Sequence, residues 1–249
     1  QVYGDADLVP AEVVNPAGLS EQERKQESLS EMSVSQQIAI AVALRRLGYD
    51  VNPLGAEVVR VLPGAPAEGK LEVGDVIVAL KGKKVSSPDE LIRLMRGHRP
   101  GTPVRLKVQR DGRELEVVVG TRAAGGDEQR AVVGVQIQPE FRFPVGIRID
   151  ARNIGGPSAG LAFALDIVDE LGDDLDRGRR VVVTGTLGLD GSVGEIGGIE
   201  QKTVGARLVD ADLFLVPDGN AAEARSHAEG LEIVAVSTFA EALTVLATR

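Results

Sequence analysis

From Asp50 to Thr121 the chain is a succession of short Val-rich stretches divided by Gly and Pro: AEVVRV at 56–61, DVIVAL at 75–80, then PVRLKVQ and RELEVVV. Runs of this kind predict strands. The last two are joined by Asp111-Gly112, which predicts a two-residue hairpin because both central positions need positive φ. Between the strands, Ser87-Pro88-Asp89-Glu90 forms a capping box with Pro at the first helical position, so a helix should run from there to about Arg96. Strand, strand, helix and hairpin in this order can close only a small α+β barrel-like module, expected over residues 50–122.

The flanks follow different patterns. Residues 1–49 read as a lead-in, extended through residue 30 and then a helix from Met32 to Leu47 that stops at Gly48. Arg122–Arg130, with Gly125-Gly126 inside it, reads as a linker. Residues 131–249 alternate strand and helix: strands at Val132–Gln138, Val145–Asp150, Arg180–Thr184, Leu213–Val216 and 231–236, a turn region at Leu187–Glu195, and helices at Ser158–Leu171, Ile199–Val209, 220–228 and 238–247. The fold class is therefore α+β, a small module followed by an α/β domain.

Composition narrows the functions. Hydrophobic residues make up 43% but aromatics 3%, with no Trp, so the cores must be Val, Leu, Ile and Ala and aromatic stacking on a ligand is not expected. A formal charge of -9 argues against nucleic acid, which is held mainly by Lys and Arg on phosphates. There is no Cys, which excludes disulfides, thiolate nucleophiles and zinc ribbons. The apolar run Ile38–Leu44 falls far short of the roughly 20 residues of a membrane span. Because the chain starts at Gln1, it is expected to be a fragment or processed form.

The chemistry concentrates at GGPSAG, Gly155–Gly160. Gly155 and Gly156 permit a tight turn, Pro157 suits a first helical position, and Ser158 would then lie in the first turn of a helix, beside unpaired N–H groups able to hold an oxyanion. The alternative is an ordinary Gly-Pro helix start with an incidental serine. His98, in the turn RGHRPG, and His227, in EARSHAEG, both read as surface histidines. The other base open to a serine is a lysine of depressed pKa, and Lys202 alone falls within residues 131–249. It follows GGIEQ, near a helix N-terminus, where the dipole and burial would both disfavour the ammonium; the alternative is an exposed helix lysine. Asp173-Asp174-Leu175-Asp176 lacks the alternating ligands and distal Glu of a calcium loop, and no metal site is expected.

GGPSAG, VVVTG, LGLDGSVGEIGGIEQK and DLFLVPDGN, in this order over about Val132–Leu246, resemble the proteolytic domain of the Lon proteases. The resemblance implies Ser158 as nucleophile, Lys202 as general base and Thr184 as the threonine that bonds the lysine, with Gly156 and Pro157 shaping the turn. Gly155 departs from an acidic residue common in that family, and Thr186 from a Glu. Lon proteases usually carry an ATPase, but the only phosphate-loop candidate, Gly64–Leu71, ends in Leu71 where Ser or Thr would ligate magnesium, so no cofactor is expected. The segment from Gly55 to Val85 instead resembles a PDZ domain of the bacterial protease type. That resemblance implies a peptide added as a strand at Leu54, Gly55, Ala56 and Val58, beside the helix from Pro88, or else a purely structural module. PDZ followed by a Lon-type domain resembles the membrane-anchored bacterial PDZ and Lon-domain proteases. This implies an ATP-independent serine endopeptidase acting on extended or unfolded polypeptides, on the extracytoplasmic side of the cell membrane, held by one N-terminal anchor outside this chain, with the oligomeric state left open. The competing reading is a peptide-binding adaptor whose Lon-like domain is weak or silent.

Overall fold

The computed structural model describes residues 20–151, 155–172 and 174–248. The first nineteen residues of the lead-in and Asp173 lie outside it. The chain divides into two compact units, one of residues 40–147 and the other of residues 1–39 with 148–249, and the division falls inside helix α1, Glu21–Arg46. The helix begins earlier than expected. Its first turns, EQERKQE, are polar all round and their described side chains are exposed, so no apolar stripe announces them.

In the unit of residues 40–147 a six-stranded sheet runs β5-β4-β2-β1-β8, with β3 (Lys83–Lys84) pairing β2 off this path. The strands are β1 Pro53–Val61, β2 Val76–Leu80, β4 Val104–Arg110, β5 Arg113–Val119 and β8 Val135–Phe141. Asp111 and Gly112 take φ of 50° and 75°, as the hairpin requires. Helix α2, Pro88–Met95, starts at Ser87, whose side chain accepts from the Glu90 N–H, while Glu90 reaches back to the Ser86 N–H. Ala56, Val58, Ile77, Leu80, Leu91, Leu106 and Val108 form its buried core. Buried Asp75 is clamped by Arg110 through Nε at 2.6 Å and a second nitrogen at 2.7 Å, tying the β1–β2 turn to β4.

Two expectations are corrected here. Arg122–Arg130 is not a bare linker: β6 (Arg122–Ala124) and β7 (Asp127–Val132) pair as a hairpin around Gly125-Gly126. Val132–Gln138, expected to open the second domain, instead contributes most of β8 and pairs antiparallel with β1.

In the other unit, a parallel sheet β13-β12-β9 (Glu232–Val236, Leu213–Pro217, Val181–Val183) is accompanied by α3 Gly160–Leu171, α4 Ile199–Leu208, α5 Ala221–Ser226 and α6 Phe239–Thr248. Every residue of β12 is buried, as befits a central parallel strand. A short hairpin, β10 Thr186–Leu187 with β11 Val193–Gly194, turns at Asp190-Gly191. Val145–Asp150 carries no strand.

Candidate active site

Three elements of the second unit converge on one point. Ser158 lies in a turn directly before the α3 N-cap, Ala159, two residues short of the helix itself, and so outside the first helical turn where the sequence placed it. Gly156, at φ 83°, makes that offset, since a side chain there would be strained. Lys202 sits in the first turn of α4, entered through Gly198 at φ 68°. Thr184, 4% exposed, follows β9.

Lys202 Nζ lies 2.7 Å from Ser158 Oγ and 3.2 Å from Thr184 Oγ1. The Thr184 hydroxyl donates to the Ser158 carbonyl at 3.2 Å, which commits its proton and turns a lone pair toward Nζ. The Gly185 N–H donates to the same carbonyl at 2.9 Å, so the serine backbone is held on two bonds from the segment that follows β9. Burial pushes the Lys202 pKa below its ordinary 10.5, because desolvation penalises the ammonium form. An amine so placed can accept a proton from the serine hydroxyl.

Helix α1 supports this turn, a role that the sequence reading missed. The Gly156 N–H donates to the Ser28 carbonyl at 2.9 Å, and the Ser35 hydroxyl donates to the Pro157 carbonyl at 3.1 Å. A Cβ on Gly155 would lie 2.1 Å from Ser28 Oγ, which accounts physically for a glycine where the resembled family often carries an acidic residue. Ser28 and Ser35 are two helical turns apart and share a face; that spacing was the available signal. A cavity of about 230 Å³ alongside Pro157 is lined by Val34 and Ile38 of α1 with Thr186 and Leu187 of β10.

The remaining candidates lie elsewhere. His227 ends α5, with Nδ1 3.8 Å from Glu200, and His98 Nδ1 faces the Leu94 carbonyl at 3.1 Å. Gly64–Leu71 is a turn region whose Gly64 N–H already bonds the Glu68 carboxylate at 2.9 Å. No metal-holding cluster occurs among the described residues. Of the expected peptide-binding residues, Ala56 and Val58 are fully buried, Gly55 packs so closely that a Cβ would meet the Ile77 carbonyl at 2.6 Å, and Leu54 is 42% exposed. The edge they were expected to offer is not open: β8 occupies it.

Comparison with known proteins divides the chain in the same order. Residues 30–121 match the PDZ domain family and residues 144–249 match the Lon protease (S16) C-terminal proteolytic domain. The chain is 42% identical over 83 residues to a probable periplasmic serine endoprotease, DegP-like, of Ectopseudomonas mendocina, covering 32% of this chain and 18% of that protein. It is 37% identical over 103 residues to Lon protease 2 of Bacillus subtilis, covering 41% and 18% respectively. Among solved structures, the PDZ domain of the SdrC-like protein of Listeria innocua shares 24% identity, with a TM-score of 0.31 and coverage of 33% of this chain and 92% of that one. The chain thus spans about a fifth of the length of these curated relatives. It carries a PDZ domain followed by a Lon protease C-terminal proteolytic domain.

Proposed function

We propose that the protein is an ATP-independent serine endopeptidase in which Ser158 is the nucleophile and Lys202 the general base. The observation that carries this reading is the 2.7 Å contact between a half-buried lysine of lowered pKa and a serine on a Gly-Pro turn. Neutral Lys202 takes the hydroxyl proton as Ser158 Oγ attacks the carbonyl carbon of an extended polypeptide. The resulting ammonium then returns that proton to the departing amine, leaving an acyl-enzyme that water cleaves by the same route. Thr184 holds the amine toward Ser158 throughout. The N–H groups of Ser158 and Ala159, which donate no backbone bond among the described residues, would serve the oxyanion in this scheme.

The periplasmic naming of the DegP-like relatives supports an extracytoplasmic location. Among the described residues no helix is long and apolar enough to cross a membrane.

Ser158→Ala tests the reading. Cleavage of an unfolded protein should fall by at least about a thousandfold, labelling by a serine-directed covalent probe should vanish, and the melting temperature should stay within a few degrees. Cleavage at the parent's rate would dismiss Ser158.

A further inference from the structure

The PDZ peptide groove between β1 and α2 is filled by the chain itself. β8 runs antiparallel along β1 from Pro53↔Phe141 to Val61↔Val135, the placement an added peptide strand takes. Its residues alternate as such a strand's do: Pro139 and Phe141 are buried and Val135 and Ile137 pack on the core, as does Val133 just before the strand, while Gln136 is exposed. The segment lies outside both family matches, which end at 121 and resume at 144.

The fit is incomplete in four respects. A cavity of about 330 Å³ remains, bounded by Leu91, Ile92 and Met95 of α2, by Val135 and Ile137 of β8 and by the β6–β7 hairpin. Pro139, opposite Ala56, has no N–H to give the ladder. The register shifts twice, between Pro53 and Gly55 and between Val58 and Arg60. Finally, the Glu140 carboxylate is held against that of Glu57.

We propose that β8 is an exchangeable resident ligand, and that the groove takes extended polypeptides with apolar residues at every second position, bulkier than Val135 and Ile137, which displace it. Such a ligand fills the 330 Å³ that β8 leaves empty and supplies the amide that Pro139 lacks. The proposal depends on the proteolytic reading only in calling that ligand a substrate.

The test reads binding in the full chain carrying Ser158→Ala, so that catalysis plays no part. Glu57 and Gln138 are directly opposed and their side chains touch at 2.7 Å; opposed antiparallel residues have the Cα separation a disulfide needs. With no native cysteine, Glu57→Cys with Gln138→Cys gives one unambiguous bridge that locks β8 in place. The probe is a fluorescent peptide of residues 133–141 carrying Val135→Leu and Ile137→Phe, followed by anisotropy. The expected result is saturable binding to the reduced protein, at least tenfold weaker when oxidised and recovered on reduction. Equal affinity in both forms places the site elsewhere and overturns the proposal. Saturable binding to neither form makes β8 a permanent strand and overturns it equally.

Discussion

Lys202 has to give up a proton at a pH where an exposed lysine would keep it. Its pKa is lowered from 10.5 by burial, so the neutral base accumulates at lower pH than for a free lysine and activity should rise with pH along a limb centred below that value. Lys202→Arg should be as inactive as Lys202→Ala, because arginine keeps the charge but does not deprotonate in a protein. Rate constants for the three forms from about pH 6 to 10 check this; substantial activity in the Arg variant would remove Lys202 as the base. The grouping of Ser158, Thr184 and Lys202 was legible only through the resemblance of GGPSAG, VVVTG and GGIEQK to the Lon motifs; the residues alone left an incidental serine and an exposed lysine open. The position of Ser158 outside α3 was not. It depends on the left-handed Gly156 and on bonds from Ser28 and Ser35, whose sequence separation from the turn hides them.

At the scale of elements, β8 shows where pattern reading stops. Alternation of apolar and polar residues identifies a strand but not its neighbour, and the partner of Gln138 is Glu57, 81 positions earlier. The pairing has two measurable signatures. Burial, and then Glu57, raise the Glu140 pKa above its ordinary 4.5, with Arg142 opposing. A raised carboxyl contributes stability that is complete below its unfolded value and lost as pH rises through its folded one. The melting temperature of the parent relative to Glu140→Gln should therefore decline as pH climbs from about 4 towards neutrality; a constant difference would place no coupling there. Gly134, just before β8, has φ 82°, and a Cβ on it would lie 2.3 Å from that of Ala65. Gly134→Ala should destabilise this unit by about 1–2 kcal/mol for the backbone and a further ~1–3 kcal/mol for the overlap, read by denaturant titration.

For the whole molecule, the division at 121 and 144 suggested by family matching would cut β8 from the sheet it completes. A fragment of residues 40–121 should present the bare β1 edge and bind a peptide of residues 131–141 in trans, whereas residues 40–147 should bind it at least tenfold more weakly; calorimetry separates the two. Failure of the shorter fragment, when folded by circular dichroism, to bind would make the β1–β8 contact dependent on chain connection alone. That connection matters quantitatively. β8 is tethered to β5 only through the β6–β7 hairpin and its flanks, residues 120–134, and a short tether holds a ligand at an effective concentration on the order of millimolar. A free peptide of equal intrinsic affinity would therefore need millimolar levels to occupy half the grooves. The tether acts as a threshold: dilute, poorly fitting peptides leave the groove closed, and only chains that fit better, or that offer many such segments at once, open it.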